Sequence, residues 1–138
     1  MNATIKLSVG RQGLYDFTHK VIPVVRGSGV NEGLVTLFLR HTSASLLLQE
    51  NADPAARRDL EMWLNRLVPE DDPLYTHTLE GPDDMPAHIK TALTAVSLSI
   101  PLINGDLALG TWQGIYLWEH RSQPGEREVI VSILGSGA

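Results

Sequence analysis

The chain contains no cysteine among its 138 residues. Disulfide bonds, a thiolate nucleophile and cysteine-bound zinc are therefore excluded, and any bound metal must use histidine and carboxylate ligands. Motifs of the forms G-x-x-x-x-G-K-[ST] and G-x-G-x-x-G are also missing, so nothing supports nucleotide binding by such loops. The absence of a G-x-S-x-G elbow likewise leaves a serine hydrolase without support.

Basic residues are in short supply, with 11 lysines and arginines against 16 aspartates and glutamates and a formal net charge of −5. A general nucleic-acid binder needs a basic surface, so no nucleic-acid partner is expected. The longest apolar runs, such as residues 46–48 and 100–103, are far too short to span a bilayer. The first ten residues also lack the pattern of a signal peptide. These absences predict a soluble cytoplasmic protein without a membrane partner.

The length suits a single domain that spans residues 1–138. Alternating or continuous apolar runs predict strands over residues 4–9, 33–40, 46–48, 97–103, 107–119 and 127–134. Apolar residues at helical spacing and helix-breaking residues predict helices over residues 14–25, 54–68 and 86–95. Short turns such as Asn104-Gly105 join many of the strands. The pattern predicts an α+β fold with two to three helices and a mostly antiparallel sheet.

The second predicted helix has the clearest signals. Asp53 can cap its free amide groups, and Pro54 fits its first turn. Steps of three and four residues place one apolar face along it, made of Ala56, Leu60, Trp63, Leu64 and Leu67. Trp63 is therefore expected in the core.

The segment richest in side chains that could bind a metal or transfer protons is residues 77–88, which read HTLEGPDDMPAH. It brings two imidazoles together with the carboxylates of Glu80, Asp83 and Asp84. Glycine and proline interrupt its middle, which predicts a loop that opens into a helix. Such a loop could bring both imidazoles to one point, where they would suit a divalent metal or an acid–base site. The alternative is structural, since Asp83 and Asp84 could do no more than begin the helix.

Three histidines outside the first helix are candidates for one site. His41 ends a hydrophobic strand, and it could be a metal ligand, a general base, or a strand-end histidine bonded to a carbonyl. His77 and His88 bound the stretch just described. Three imidazoles with one open position form a known catalytic zinc layout, although the spacing here matches no local zinc signature. His120 is given no role.

A second polar cluster follows the last turn signals. Trp112 and Gln113 would point to opposite faces of a strand, so that one packs inside and the other lines a pocket. Arg121 and Arg127 could bind phosphate with paired hydrogen bonds, or they could be ordinary surface arginines.

Several of these motifs, in this order, resemble those of the YjbQ family. The resemblance covers nearly the whole chain from about Gly33 onward. The segments that carry it are HTSASL from His41, ENADP from Glu50, HTLEGPDDMPAHIK from His77, NGDLALGTWQ from Asn104 and EHR from Glu119.

The resemblance implies a compact α+β fold with a curved antiparallel sheet, and a homotrimer. It also implies that His41, His77 and His88 meet at one site that holds a divalent metal, with zinc expected. The family is known as a secondary thiamine-phosphate synthase. The implied reaction joins an aminopyrimidine diphosphate to a thiazole phosphate and releases pyrophosphate.

From these motifs we assign roles to further residues. Glu80 or Glu119 would be the catalytic acid or base, and a small phosphorylated substrate would contact Asn51, Trp112, Gln113 and Arg121. Magnesium could serve a diphosphate substrate through the carboxylates near residue 83.

Histidine ligands suit hydrolysis or proton transfer better than displacement of a diphosphate. We therefore expect the thiamine-phosphate synthase activity to be weak and the physiological substrate to differ. The alternative is a module that binds a small phosphorylated metabolite or a metal without catalysis.

Overall fold

Eight strands and three helices make up the fold in the computed structural model, which describes residues 1–137. In chain order they are β1 (Asn2–Val9), β2 (Gly13–Asp16), α1 (Thr18–Gly27), β3 (Val30–Leu39), β4 (Ala44–Glu50), α2 (Pro54–Leu67), α3 (Asp84–Leu93), β5 (Ser97–Ile103), β6 (Asp106–Leu107), β7 (Gln113–Glu119) and β8 (Gly125–Gly137).

The strands form two antiparallel groups. Five of them lie in the order β1-β8-β3-β5-β6, and three lie in the order β2-β7-β4. Every pairing between named strands is antiparallel. The α+β fold with a curled, antiparallel sheet is thereby confirmed.

The main core lies between the two groups of strands. Alternate residues of the larger sheet point inward, which is why its strands show the two-residue apolar period. Helix α1 covers this core with Val21 and Val25, both buried. The inward strand residues with almost no exposure include Val35, Leu37, Ile100, Ile115, Leu117, Val129 and Val131.

A second, smaller core lies on the opposite face of the three-stranded sheet. Helices α2 and α3 cover this face and contribute Leu64 and Ile89 to it. The sheet contributes Leu14, Tyr116 and Trp118. The two helices therefore lie outside the small sheet, and this arrangement positions the segment that precedes α3.

The prediction of one helix over residues 14–25 is wrong in its first part. Gly13–Asp16 forms an edge strand that pairs with the second half of β7. The helix begins only at Thr18, whose backbone N–H donates to Asp16 Oδ1 at 2.9 Å. Pro23 lies inside α1. Pairing with a strand about 100 residues later overrode the local helical spacing.

The prediction of a single strand over residues 107–119 is also wrong. Strand β6 ends at Leu107, and β7 starts at Gln113. A turn separates them, in which the Gly110 N–H donates to Gln113 Oε1 at 2.8 Å. Gln113 N–H donates back to the Gly110 carbonyl at 3.1 Å. These local hydrogen bonds replace strand pairing in the turn.

Helix α2 confirms one prediction and contradicts another. The Asp53 carboxylate accepts from Ala55 N–H at 2.9 Å, as expected of a helix cap. Trp63, expected in the core, is 51% exposed, whereas Leu64 is 3% exposed. The helix is rotated so that Leu60, Leu64 and Val68 face the small sheet.

None of the helices in residues 1–137 is long and apolar enough to cross a membrane.

Candidate metal centre

Two imidazoles converge on one carboxylate at the start of α3. His77 Nε2 lies 2.6 Å from Asp84 Oδ2, and His88 Nε2 lies 2.9 Å from the same oxygen. The three ligand atoms lie within 4.8 Å of one another, and the two imidazole ring centres are 5.3 Å apart. Two imidazole nitrogens and a carboxylate oxygen are a donor set that zinc and related divalent metals use in proteins.

The position of this cluster follows from the local fold. Asp84 and His88 are four residues apart in α3, and their side chains therefore share one face of the helix. The hydrogen bond from Leu46 N–H to the Ala95 carbonyl, at 2.7 Å, fixes the end of α3 against β4. His77 arrives from the loop that joins α2 to α3. The prediction that residues 77–88 bring two imidazoles to one point is thus confirmed.

The hydrogen bond of His88 Nδ1 determines what its other ring nitrogen can do. Nδ1 lies 3.0 Å from the carbonyl oxygen of Thr42, which can only accept, so Nδ1 carries the proton and donates. In neutral His88, Nε2 then presents a lone pair toward the Asp84 carboxylate. Two electron-rich atoms 2.9 Å apart repel each other unless a proton or a metal ion lies between them. A metal-binding histidine with its other N–H on a backbone carbonyl is a common arrangement.

Arg121 holds the far side of Asp84. Its Nη1 binds Asp84 Oδ1, while its Nε donates to Asp83 Oδ2 at 3.0 Å. Burial favours the neutral form of Asp84, but the His77 hydrogen bond and the charges of His88 and Arg121 outweigh it and lower the Asp84 pKa. The Asp84 side chain is 2% exposed, against 43% for His77. The cluster therefore has a buried, ionised carboxylate with a fixed orientation on one side, and an imidazole that is open to solvent on the other.

The structure does not bring His41 into this cluster. Glu128 N–H donates to His41 Nε2 at 2.9 Å, and Arg127 Nη1 lies 3.3 Å from His41 Nδ1. Burial and the charge of Arg127 lower the His41 pKa. His41 and His88 nevertheless line the same open groove of about 560 Å³. The expected meeting of three histidines is therefore only partly reproduced: two meet at Asp84, and the third lines the groove beside them.

Glu119, expected as a catalytic acid or base, is fully buried in an ion pair. Arg127 donates from Nε to Oε1 and from Nη2 to Oε2 of Glu119, each at 2.6 Å. Arg121 N–H adds a third hydrogen bond to Oε2 at 3.0 Å. This placement argues against the expected proton-transfer role, because both carboxylate oxygens are occupied and neither is accessible. Arg127 is likewise only 7% exposed, and its guanidinium is bound to Glu119 and Ser43, which argues against the expected phosphate binding.

A buried serine–histidine pair lies next to this ion pair. His120 Nε2 is 2.9 Å from Ser45 Oγ, and both residues are essentially unexposed. Burial, followed by the charges of Lys90 and Arg127, lowers the His120 pKa to about 3. Because both side chains are buried, we assign this pair a structural role in the interior of the fold and no contact with substrate.

The remaining predicted site residues lie apart from the cluster. Glu80 is exposed, and its carbonyl accepts from Arg121 Nη2 at 2.9 Å. Trp112 and Gln113 lie at the N-terminal end of β7, and Glu119 is at its other end, about 20 Å along the strand. Asn51 joins them there, since its N–H donates to the Trp112 carbonyl at 2.9 Å. Of the four predicted substrate-binding residues, only Arg121 is brought to the cluster within one chain.

Asp84 is the residue of this cluster that the sequence did not group with the histidines as a metal ligand. The sequence predicts that Asp84 begins a helix or joins a magnesium site, and it is the first residue of α3. The spacing from Asp84 to His88 is the available signal, since residues four apart on a helix share a face. The contact with Arg121, 37 residues later, could only be found in the folded chain.

Comparison with known proteins gives a consistent result. A family model described as UPF0047 protein YjbQ-like matches residues 3–136. A UPF0047 protein of Synechocystis sp. is 56% identical over 131 residues, which cover 94% of this chain and 89% of that protein. The UPF0047 protein YjbQ of Escherichia coli O157:H7 is 44% identical over 133 residues, with 96% of both chains covered.

Solved structures show the same fold. A YbjQ-like protein of unknown function from Sulfolobus solfataricus P2 superimposes with a TM-score of 0.90 at 26% identity, covering 99% of this chain and 97% of that one. An uncharacterized yjbq/upf0047 family protein from Clostridium acetobutylicum gives a TM-score of 0.83 at 38% identity, with 97% and 99% covered. Together with the family match over nearly its whole length, these likenesses establish that the chain belongs to the UPF0047 YjbQ-like family.

Proposed function

We propose that this protein is a metal-dependent enzyme whose divalent cation, zinc by ligand type, is held by His77, Asp84 and His88. The observation that carries the proposal is the His88 Nδ1 hydrogen bond to the Thr42 carbonyl. It leaves the His88 Nε2 lone pair directed at a carboxylate oxygen, an arrangement that a cation between them would stabilise.

The donor atoms fit zinc after a small adjustment. Ligands at about 2.0–2.1 Å from a tetrahedral zinc ion lie about 3.3 Å from one another. The present separations from Asp84 Oδ2 are 2.6 Å and 2.9 Å, so the imidazoles would move outward by a few tenths of an ångström. His77 is on a loop and can make this movement. Two imidazoles favour zinc over magnesium, which prefers oxygen ligands and is the second choice.

A metal with three protein ligands keeps an open position and supplies Lewis acidity to a substrate oxygen. The protein supplies the rest of the site. Arg121 holds Asp84 ionised and oriented, and the groove beside His88 offers about 560 Å³ for a small molecule. His41 lines this groove, and we assign it a contact with substrate in place of the expected metal contact.

We further propose that the substrate is a small phosphorylated molecule and that thiamine-phosphate synthesis is a weak activity of this site. The family resemblance supports the specific reaction, and the proposed cation would stabilise the departing diphosphate. The open groove, rather than an enclosed pocket, is in keeping with a weak and unselective reaction.

Metal analysis of the purified protein tests the first part of the proposal. About one equivalent of zinc per chain is expected in the wild type, and His88→Ala should lose most of it. His19→Ala is the matched control, because His19 is an exposed histidine on α1. Equal metal contents in the two variants would refute the assignment.

Turnover tests the second part. Wild-type protein supplied with the aminopyrimidine diphosphate and the thiazole phosphate should form thiamine phosphate, and His77→Ala should not. A metal-loaded wild type that binds either compound tightly without turnover would instead support the non-catalytic module. The complete ion pairing of Glu119 favours that alternative, because it removes one of the two expected acid–base groups.

We also propose that the protein is a cytoplasmic homotrimer. The outer face of the five-stranded sheet carries Leu34, Phe38 and Leu134, which are 42%, 47% and 69% exposed. Burial of these side chains by other copies of the chain would be favourable. Light scattering should return about 45 kDa, three times the 15.1 kDa of one chain. A mass of 15.1 kDa would contradict the trimer, and cell fractionation would test the location.

A further inference from the structure

A second cleft lies between strand β2 and the first half of α2. Its volume is about 570 Å³, and its lining includes Arg11, Tyr15, Arg57, Arg58 and Glu61. None of these residues belongs to the loop, helix or strand end that forms the candidate metal centre. The cleft is at the β2 edge of the three-stranded sheet, whereas α3 and its cluster lie along the β4 edge.

The cleft is basic in a chain whose net charge is −5. Within residues 1–137, none of its three arginines lies within 4.0 Å of a carboxylate oxygen. Glu61 is the acidic residue of the lining, and its Oε1 is occupied by a 2.9 Å hydrogen bond from Leu14 N–H. The cleft therefore has three guanidinium groups and one carboxylate, which already accepts a backbone hydrogen bond, so its net charge is positive.

Arg57 is held in position without having its donors satisfied. Its guanidinium lies over the Tyr116 ring, with 5.3 Å between Cζ and the ring centre. The Tyr116 hydroxyl donates to the Glu50 carbonyl at 3.1 Å, which fixes the ring beneath it. Arg57 Nη2 makes only a long contact of 3.5 Å with the same hydroxyl, and its Nε is buried with no acceptor in the protein. A buried guanidinium donor without an acceptor is unusual in folded proteins.

We propose that this cleft binds a small molecule bearing a phosphate or diphosphate group, held by Arg11, Arg57 and Arg58. Arginine is suited to this role because its planar donors match phosphate oxygens in pairs. Arg57, already stacked on Tyr116, loses little conformational freedom on binding. Tyr15 and Pro54 also line the cleft and offer apolar surface to the organic part of the ligand.

The site is independent of the proposed metal centre. Arg121, the arginine at that centre, is occupied by Asp83, Asp84 and the Glu80 carbonyl. It is therefore not free to bind a second anion. A ligand in the β2–α2 cleft would therefore be an additional bound metabolite.

Titration of the full-length protein with inorganic pyrophosphate, followed residue by residue with NMR, tests the proposal. Saturable shifts are expected at the amides of Tyr15, Arg57 and Arg58. Shifts confined to Asp84 and His88 would instead report binding at the metal centre and would overturn the proposal. This readout separates failure of the cleft from failure of the proposed enzyme function.

Variants give the second measurement. Arg58→Gln should weaken pyrophosphate binding about tenfold, because an arginine–phosphate interaction is lost. Arg66→Gln is the matched control, since Arg66 is on the same helix but outside the cleft. Arg58 is exposed, so its replacement is not expected to disturb folding, whereas Arg57 also packs on Tyr116. Equal weakening by both variants would indicate diffuse attraction and overturn the proposal, as would the absence of binding to the wild type.

Discussion

Arg127 and Glu119 form a paired ion bridge inside the protein, with two hydrogen bonds of 2.6 Å. The Glu119 side chain has no exposure and that of Arg127 has 9%. Arg127 also donates from Nη2 to Ser43 Oγ at 2.8 Å. The pair therefore joins β7, β8 and the start of β4 at the end of the molecule where the candidate metal centre lies.

Glu119→Gln should lower the free energy of unfolding by about 3–5 kcal/mol, because it leaves the Arg127 charge buried without a counter-charge. Chemical denaturation measures this loss. Glu126→Gln, at an exposed position of β8, should change it by less than about 0.5 kcal/mol. Similar stabilities for the two variants would show that the buried pair contributes little.

His120 should make stability fall in mild acid. Its pKa in the folded protein is lowered to about 3 by burial, while the unfolded chain titrates near 6.5. Between these values the unfolded chain binds the additional proton, so stability decreases as the pH falls from 6.5, by about 1.4 kcal/mol per pH unit. His41, whose pKa is also lowered, adds to the same trend.

Unfolding curves at pH 6.5, 5.5 and 4.5 measure this slope. His120→Gln should reduce it, while the exposed His19→Gln should leave it unchanged. The Asp83 and Asp84 pKa values are lowered from 3.8, so these carboxylates add acid sensitivity mainly below this window. An unchanged slope in His120→Gln would contradict a neutral, buried imidazole.

Leu64 and Leu67 test the observed rotation of α2. Leu64→Ala should cost about 2–5 kcal/mol, because the side chain is 3% exposed in the smaller core. Leu67→Ala is the same chemical change on the same helix at a 54% exposed position, and it should cost about 1 kcal/mol. If the two substitutions lower the free energy of unfolding equally, the helix face expected from the sequence would be the correct one.

Gly33 is required by the close approach of β3 and β8. A Cβ at this position would clash with the Leu134 carbonyl oxygen, which belongs to the paired backbone and cannot move freely. Gly33→Ala should therefore destabilise the protein by about 1–3 kcal/mol. Gly10→Ala is the control, since a Cβ there meets nothing within 4 Å. Thermal unfolding of the two variants gives the comparison.

Metal removal should lower the melting temperature only when the proposed ligands are intact. A cation that binds the folded state at 1,000 times its dissociation constant stabilises by about 4 kcal/mol. A chelator should remove this stabilisation from the wild type and have no effect on His77→Ala, which begins without it. Equal responses of both proteins would place the metal elsewhere.

Local signals in the sequence predicted a large part of the fold. The two-residue period identified β1, β3 and β8, and Asp53 with Pro54 marked the start of α2. These features depend on residues a few positions apart, so they can be read without the rest of the chain. The stretch 77–88 was recognised for the same reason, since its two imidazoles are close in sequence.

The sequence by itself determined the metal chemistry that is available, because a chain without cysteine must use imidazoles and carboxylates. Tertiary structure decided which of them meet. His88 and Asp84 share a helix face, but their partners Thr42 and Arg121 are 46 and 37 residues away. They reach the cluster only when the start of β4 and the end of β7 lie beside α3. The same packing drew Glu119 into the interior and left His41 in the groove. Local spacing fixes the period of an element, whereas the free energy of packing fixes its rotation and its neighbours.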